Sequence, residues 1–238
     1  MPPPEAIGQA LLGEAEVQRL LLAASERAPS GVRNRALIAF LYCSGLRLGE
    51  ALLLRPVELD FGAATVRVRG VRARAAHLFP AAQPYLETWL AVRTGLGLAA
   101  RAPLFCTLAG EPLEPAYVRA MLARLGRRAG LAQRVHAHLL RHSCAARLGR
   151  AGLGVAELAL QLGHRAARST RRALAAFGVA LAARGARSPA ELPWSLAPEP
   201  GRVRAIVSLG RQPASEPAVP LARGPGGVVV KRWHPPEL

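Results

Sequence analysis

Ala36 to Cys43 is an unbroken apolar run of eight residues within Arg33 to Cys43, a segment that reads as a helix. A helix that is apolar on every side has to be buried among other elements. The run is far shorter than the roughly 18 residues a bilayer span needs, and no uncharged apolar stretch in the chain reaches that length, so no membrane partner is predicted. The first residues, Met1-Pro2-Pro3-Pro4-Glu5, lack the basic and then apolar pattern of a secretion signal. Cys43, Cys106 and Cys144 are odd in number and without metal-ligand spacing, which predicts free thiols in a reducing, cytoplasmic compartment.

The rest of the chain supplies partners for a buried helix. Hydrophobic residues make up 51% of its 238 residues, which is far from the composition of an unfolded polar chain. Glu14 to Arg27 carries Val17, Leu20, Leu21 and Ala24 at helical spacing. Ser44-Gly45 interrupts before a short helix that Pro56 should close. Thr65 to Arg69 alternates apolar and charged residues, and His77-Leu78-Phe79 can return after Gly70 to Ala76 as a hairpin. Helical patterns then run over Ala81 to Leu96, Pro115 to Ala129, His138 to Ala151, Val155 to Leu162 and Ser169 to Ala183. The expected fold is mainly α with a small antiparallel β-hairpin sheet, and Trp89 is expected in its core. From Ser188 onward ten of the twenty prolines accumulate, so residues 188–238 are expected to be a disordered tail, with residues 1–11 an N-terminal extension and 12–187 the folded domain. Trp194 and Trp233 in that tail are candidate partner contacts, and Gly224-Pro225-Gly226-Gly227 reads as a turn, since its proline interrupts any phosphate cradle.

Charge narrows the partner. The net charge is +17, and its excess is concentrated: Arg119 to Arg187 holds 14 basic residues and one acidic, while the flanking parts are close to balanced. An arginine-biased genome accounts for the total but not for the clustering. A polyanion suits such a block, because neutralised phosphates release their counterions.

Three sets of polar groups stand out within this charge. Arg47 follows Ser44-Gly45-Leu46 at a helix start, where backbone N–H groups favour anions and a guanidinium can add a bidentate clamp. His138 and Arg141 are three apart and should share a helix face, and His164 follows Leu162-Gly163. His136, His138 and Cys144 have no usual zinc spacing, so neither a metal nor a cofactor is predicted. His142 reads as support for its own helix.

Ser44-Gly45-Leu46-Arg47-Leu48-Gly49-Glu50, His138-Leu139-Leu140-Arg141-His142-Ser143 and Leu162-Gly163-His164 resemble, in order and spacing, the signature boxes of the tyrosine recombinase (phage integrase) family. The hairpin after Asp60, the Leu104-Phe105 to Pro112-Leu113 stretch and Arg128 to Leu131 are similar too, so the resemblance covers about Leu12 to Phe177. It implies the catalytic-domain fold of that family, double-stranded DNA as partner, and metal-free transesterification in which a tyrosine attacks the scissile phosphate. On that resemblance Arg47 and Arg141 answer the charge developing on the phosphorane, each worth ~3 kcal/mol, and His138 and His164 move or donate protons. Arg72 and Arg74 in the hairpin and Arg171 and Arg172 beyond the last box are the expected further DNA contacts. The amino-terminal domain with which many relatives complete a clamp around DNA is expected to be missing.

Two departures stand against the activity. The family's nucleophile lies nine residues beyond the Gly-His box, where this chain has Ala173, and no tyrosine follows Tyr117. The hairpin lysine that acts in relatives as general acid is absent from Gly70-Val71-Arg72-Ala73-Arg74, and an arginine with a pKa above ~12 gives up its proton poorly. The expectation is therefore a DNA-binding protein of site-specific recombination and integration that cannot cleave by itself, standing alone or in an oligomer on DNA with an active recombinase. Two alternatives stay open: a recombinase whose nucleophile is supplied in trans or was replaced, and a basic helical protein that binds RNA or another acidic partner.

Overall fold

The structure is a computed structural model that describes residues 10–181. The predicted tail over 188–238 and most of the extension over 1–11 lie outside the described residues. The element order is α1 (Glu14–Leu22), α2 (Pro29–Ser44), α3 (Leu48–Leu53), β1 (Leu59–Asp60), β2 (Thr65–Val68), β3 (Arg74–His77), α4 (Gln83–Gly95), α5 (Pro115–Arg128), α6 (Ala137–Arg150), α7 (Val155–Leu162) and α8 (Ala167–Ala175). Among the described residues no helix is long and apolar enough to cross a membrane.

α2 is the axis of the domain. Every residue from Ala36 to Ser44 is buried, with α4 and α6 packed against it. Phe40 meets Phe105 at 5.7 Å between ring centroids, and Trp89 of α4 is fully buried with its indole N–H donating to Leu104 O. Cys43, Cys106 and Cys144 are buried free thiols. Two buried arginines pin the surrounding loops through carbonyl oxygens: Arg33 donates to Cys106 O, and Arg93 to Pro103 O and Leu104 O.

Element ends differ from the sequence expectation for local reasons. α1 stops at Leu22 rather than Arg27, because the Ser25 hydroxyl accepts the N–H groups of Arg27 and Ala28 and turns the chain. Pro29 then opens α2 four residues earlier than expected, at a position where its missing N–H costs nothing. α8 ends at Ala175, short of Ala183: Gly178 at φ +67° reverses the chain so that Val179 N–H returns to Leu174 O. The hairpin is the larger part of a three-stranded antiparallel sheet in the order β1-β2-β3, with Val66 opposite Ala76. β1 is two residues long, too short to show alternation in sequence.

Gly45 closes α2 at φ +64°, where a Cβ would lie 2.8 Å from Leu162 Cδ2 and 3.0 Å from Cys144 Sγ. This close approach seats the ends of α2 and α7 and the middle of α6 on one another. Gly45→Ala combines a left-handed backbone with overpacking and is expected to cost about 2–3 kcal/mol, read as a lowered midpoint in chemical denaturation.

Candidate functional site

The site is assembled on the C-terminal end of α7. The last carbonyls of a helix lack intrahelical partners and carry the negative end of its dipole. Guanidinium groups from four other places converge on them. Arg141 of α6 donates to Leu162 O at 2.7 Å and to Gly45 O at 2.6 Å. Arg72, in the turn between β2 and β3, donates to Gly163 O at 2.6 Å. Arg74 of β3 donates from Nε and Nη2 to Gln161 O, at 3.3 and 3.2 Å. Arg47, the residue that opens α3, reaches Leu162 O and Gly163 O at 3.5 Å. Gly163 permits this crowding, since at φ +63° it has no Cβ to collide with the Arg74 guanidinium, which would sit 2.6 Å away.

One carboxylate serves the cluster. Glu50 Oε1 accepts from Arg47 Nη1 at 3.1 Å and Arg74 Nη1 at 3.0 Å, while Oε2 accepts from Arg74 Nη2 at 3.2 Å and from the Arg47 N–H at 2.9 Å. Burial opposes the charge of Glu50, but hydrogen bonds from Arg74 and Arg47 outweigh it and hold the carboxyl below its ordinary pKa. Four guanidiniums thus share one negative charge. Arg141 is 5% exposed, and burial, reinforced by the charge of Arg47, lowers its pKa to about 10, so it is still charged at neutral pH.

His164 completes the pocket. Its Nε2 lies 3.0 Å from Arg141 Nη2 and its Nδ1 2.8 Å from Thr170 Oγ1. A guanidinium can only donate, so Nε2 accepts, and the ring proton sits on Nδ1 and is donated to Thr170. Burial, followed by the fields of Arg141, Arg47, Arg72 and Arg74, lowers the His164 pKa to about 4. The imidazole is neutral at pH 7.

Thr170 is fully buried on α8 and joins that helix to the pocket. Ala173 follows it by three residues, so the two are neighbours on the helix surface. The three tyrosines of the chain are engaged elsewhere. Tyr42 is buried under the Arg147 guanidinium, burial pushing its phenol pKa up; Tyr85 is buried; and Tyr117 accepts a hydrogen bond from Arg33 at 2.7 Å.

Of the residues singled out in the sequence, Arg47, Arg72, Arg74, Arg141 and His164 come together. His138 does not share their hydrogen bonds: it is exposed one turn before Arg141, and its ring stacks on His142 at 5.6 Å. Arg171 and Arg172 are exposed on α8. Sequence reasoning missed Glu50, Gln161 and Thr170. Glu50 was findable, because a glutamate three residues into a helix is the reaching-back half of a capping box. Gln161 is buried and bridges three elements, donating to Ser44 O and His77 O and accepting from the His77 N–H, with no sequence signal for it.

The family model of the phage integrase family matches residues 11–176. The chain belongs to the phage integrase family, that of the tyrosine recombinases. The tyrosine recombinase XerC 2 of Ralstonia nicotianae is 33% identical over 165 residues, which are 68% of this chain and 48% of that protein. The chain thus spans about half the length of this curated relative. The crystal structure of XerA recombinase superposes with a TM-score of 0.64 at 24% identity, over 75% of this chain and 64% of that one. XerH site-specific recombinase, bound to a palindromic difH substrate in a post-cleavage complex, gives 0.61 at 27% identity, over 70% and 49%. These likenesses establish the mainly α tyrosine-recombinase catalytic-domain fold with its small sheet.

Because the folded pKa of His164 lies below the 6.5 of a free imidazole, the unfolded chain takes up the extra proton between those values. The contribution of this site to stability is therefore complete above pH 6.5 and declines as the pH drops toward 4. Nitrogen-15 NMR of the imidazole is expected to show the Nδ1–H tautomer at pH 7 and titration near 4. Titration near 6.5 would contradict the buried, arginine-faced setting.

Proposed function

We propose that this chain is a DNA-binding protein of site-specific recombination that seats a backbone phosphate between Arg47, Arg72, Arg141 and His164, and that does not form a phosphotyrosyl intermediate on its own. The observation that supports this reading is a joint one: guanidiniums gathered at a single point beside a helix whose expected nucleophile position is Ala173. A phosphodiester oxygen is a stronger acceptor for a guanidinium than a peptide carbonyl. Arg47, whose side chain is 34% exposed, makes long carbonyl contacts and holds Glu50 through Nη1 alone, and Arg72, held by one hydrogen bond, are the donors with N–H groups to turn toward it. Arg74 is tied to Glu50 through both terminal nitrogens and keeps the hairpin in place instead.

Cleavage needs more than the bound phosphate. An alanine methyl has no lone pair with which to attack phosphorus, and the hairpin offers only arginines where a leaving 5′-oxygen needs a proton. The chain then acts by occupying DNA, alone or beside an active relative in one assembly. XerH in its post-cleavage complex is a DNA-bound relative whose fold this chain shares.

Nicked suicide duplexes, selected from a random-sequence pool for binding to the full chain, test this. Retention on a filter without any SDS-resistant adduct is expected, and an adduct at the rate of an active recombinase would overturn the reading. Ala173→Tyr restores the attacking hydroxyl, and an adduct from that variant alone would locate the block there.

The two hairpin arginines should separate. Arg72→Gln removes one charge-assisted phosphate contact and is expected to weaken duplex affinity about tenfold with little change in stability. Arg74→Gln leaves Glu50 short of a partner and should cost about 3 kcal/mol of stability in a denaturation curve.

A further inference from the structure

α8 carries a charge pattern that works against its own formation. Arg168, Arg171 and Arg172 are exposed on it, with exposed Arg165 just ahead of its start, and none of the four joins an ion pair among the described residues. Arg168 stands three and four residues before the other two, the spacings at which like charges on a helix repel. It also lies in the first turn, where the helix dipole already presents positive charge. No acidic residue occurs between Glu157 and Glu191, so the neighbouring sequence supplies no neutralisation. An element arranged against local preference marks a surface whose partner is external.

The direction of that surface follows from the helix period of ~100° per residue. Thr170 and Leu174 are buried and face the core and the pocket, and half-buried Ala173 lies on the flank next to Thr170. Arg168 and Arg172 lie on the opposite side, with Arg171 on the flank between that side and Leu174. A phosphate held beside His164 and Thr170 is therefore on the other side of α8 from Arg168 and Arg172. The arginine side carries no large apolar residue, only small ones such as Ser169 and Ala175, which removes any means of burying apolar area in a membrane or a protein groove. Arginine without apolar neighbours is suited to one chemistry, the repeated phosphates of a nucleic-acid backbone.

We infer that the outer face of α8 is a second DNA-backbone contact surface directed away from the phosphate pocket, so that one chain holds two duplex segments at once. The inference rests on the proposed reading of the chain as DNA-binding. It goes beyond the sequence expectation for Arg171 and Arg172, which named them as further DNA contacts.

A bridging assay separates the two. A biotinylated duplex on beads, the full chain and a fluorescent duplex are mixed at low salt, and captured fluorescence reports bridging; affinity for a single duplex is measured in parallel. Arg168→Gln/Arg171→Gln/Arg172→Gln, which keeps good helix formers on the face, is expected to lower bridging about tenfold or more while single-duplex affinity changes less than threefold or so. Arg168→Glu/Arg171→Glu/Arg172→Glu should remove bridging altogether, with circular dichroism confirming that both variants fold. Bridging that survives both variants overturns the inference, because the two duplexes would then be joined by other means, such as pairing of chains. Equal loss of bridging and of single-duplex affinity also overturns it, since one surface would then do both tasks. The underlying reading has its own arm: Arg47→Gln/Arg72→Gln should weaken single-duplex binding, and unchanged affinity there counts against the pocket whatever the α8 variants do.

Discussion

The negative end of α7 organises this domain. Four guanidiniums brought together in a protein interior would drive one another apart, and a phosphate-sized anion is the obvious remedy. Here the chain carries its own. The carbonyls of Gln161, Leu162 and Gly163 accept from Arg74, Arg141, Arg47 and Arg72, and the one carboxylate of the cluster, Glu50, supplies a formal negative charge beneath them. The charge of the cluster is thus offset from within the chain, by carbonyl dipoles and one carboxylate.

That arrangement explains how position 173 can be alanine without loss of the pocket. Nothing at that position holds an arginine. Thr170, one turn earlier, makes the contact from α8 through the His164 ring, and the guanidiniums are fixed by α3, α6, α7 and the hairpin. The guanidinium cluster and the residue at position 173 are therefore separable parts of this fold. The two glycines at its joints are less negotiable: Gly45 lets the ends of α2 and α7 meet, and Gly163 lets the Arg74 guanidinium cross the chain where any side chain would block it.

Much of the fold was legible because its signals are local. The apolar run in α2, the prolines opening α2, α4 and α5, and the alternation in β2 each state an element within a few residues. The errors lay where a side chain rewrote the local preference, as at Ser25, or where an element was too short to have a period, as at β1. In the site, Arg47, His138, Arg141 and His164 were all named from their boxes, and His138 is the one that lies exposed outside the hydrogen-bonded cluster. Spacing puts two residues on one helix face, but it does not say which of them the next element buries.

The amino-acid sequence by itself determined the helical framework, the basic block, the family boxes and the absence of a tyrosine beyond Tyr117, because each of these is a property of residue identity and order. Only the tertiary structure decided which arginines meet, that Glu50 ties Arg47 and Arg74 while Thr170 holds the His164 ring, which nitrogen of His164 carries the proton, and that the arginines of α8 are exposed. Those outcomes depend on partners up to 116 residues apart, and hydrogen bonds and charge pairs form according to distance in space, which residue order does not encode.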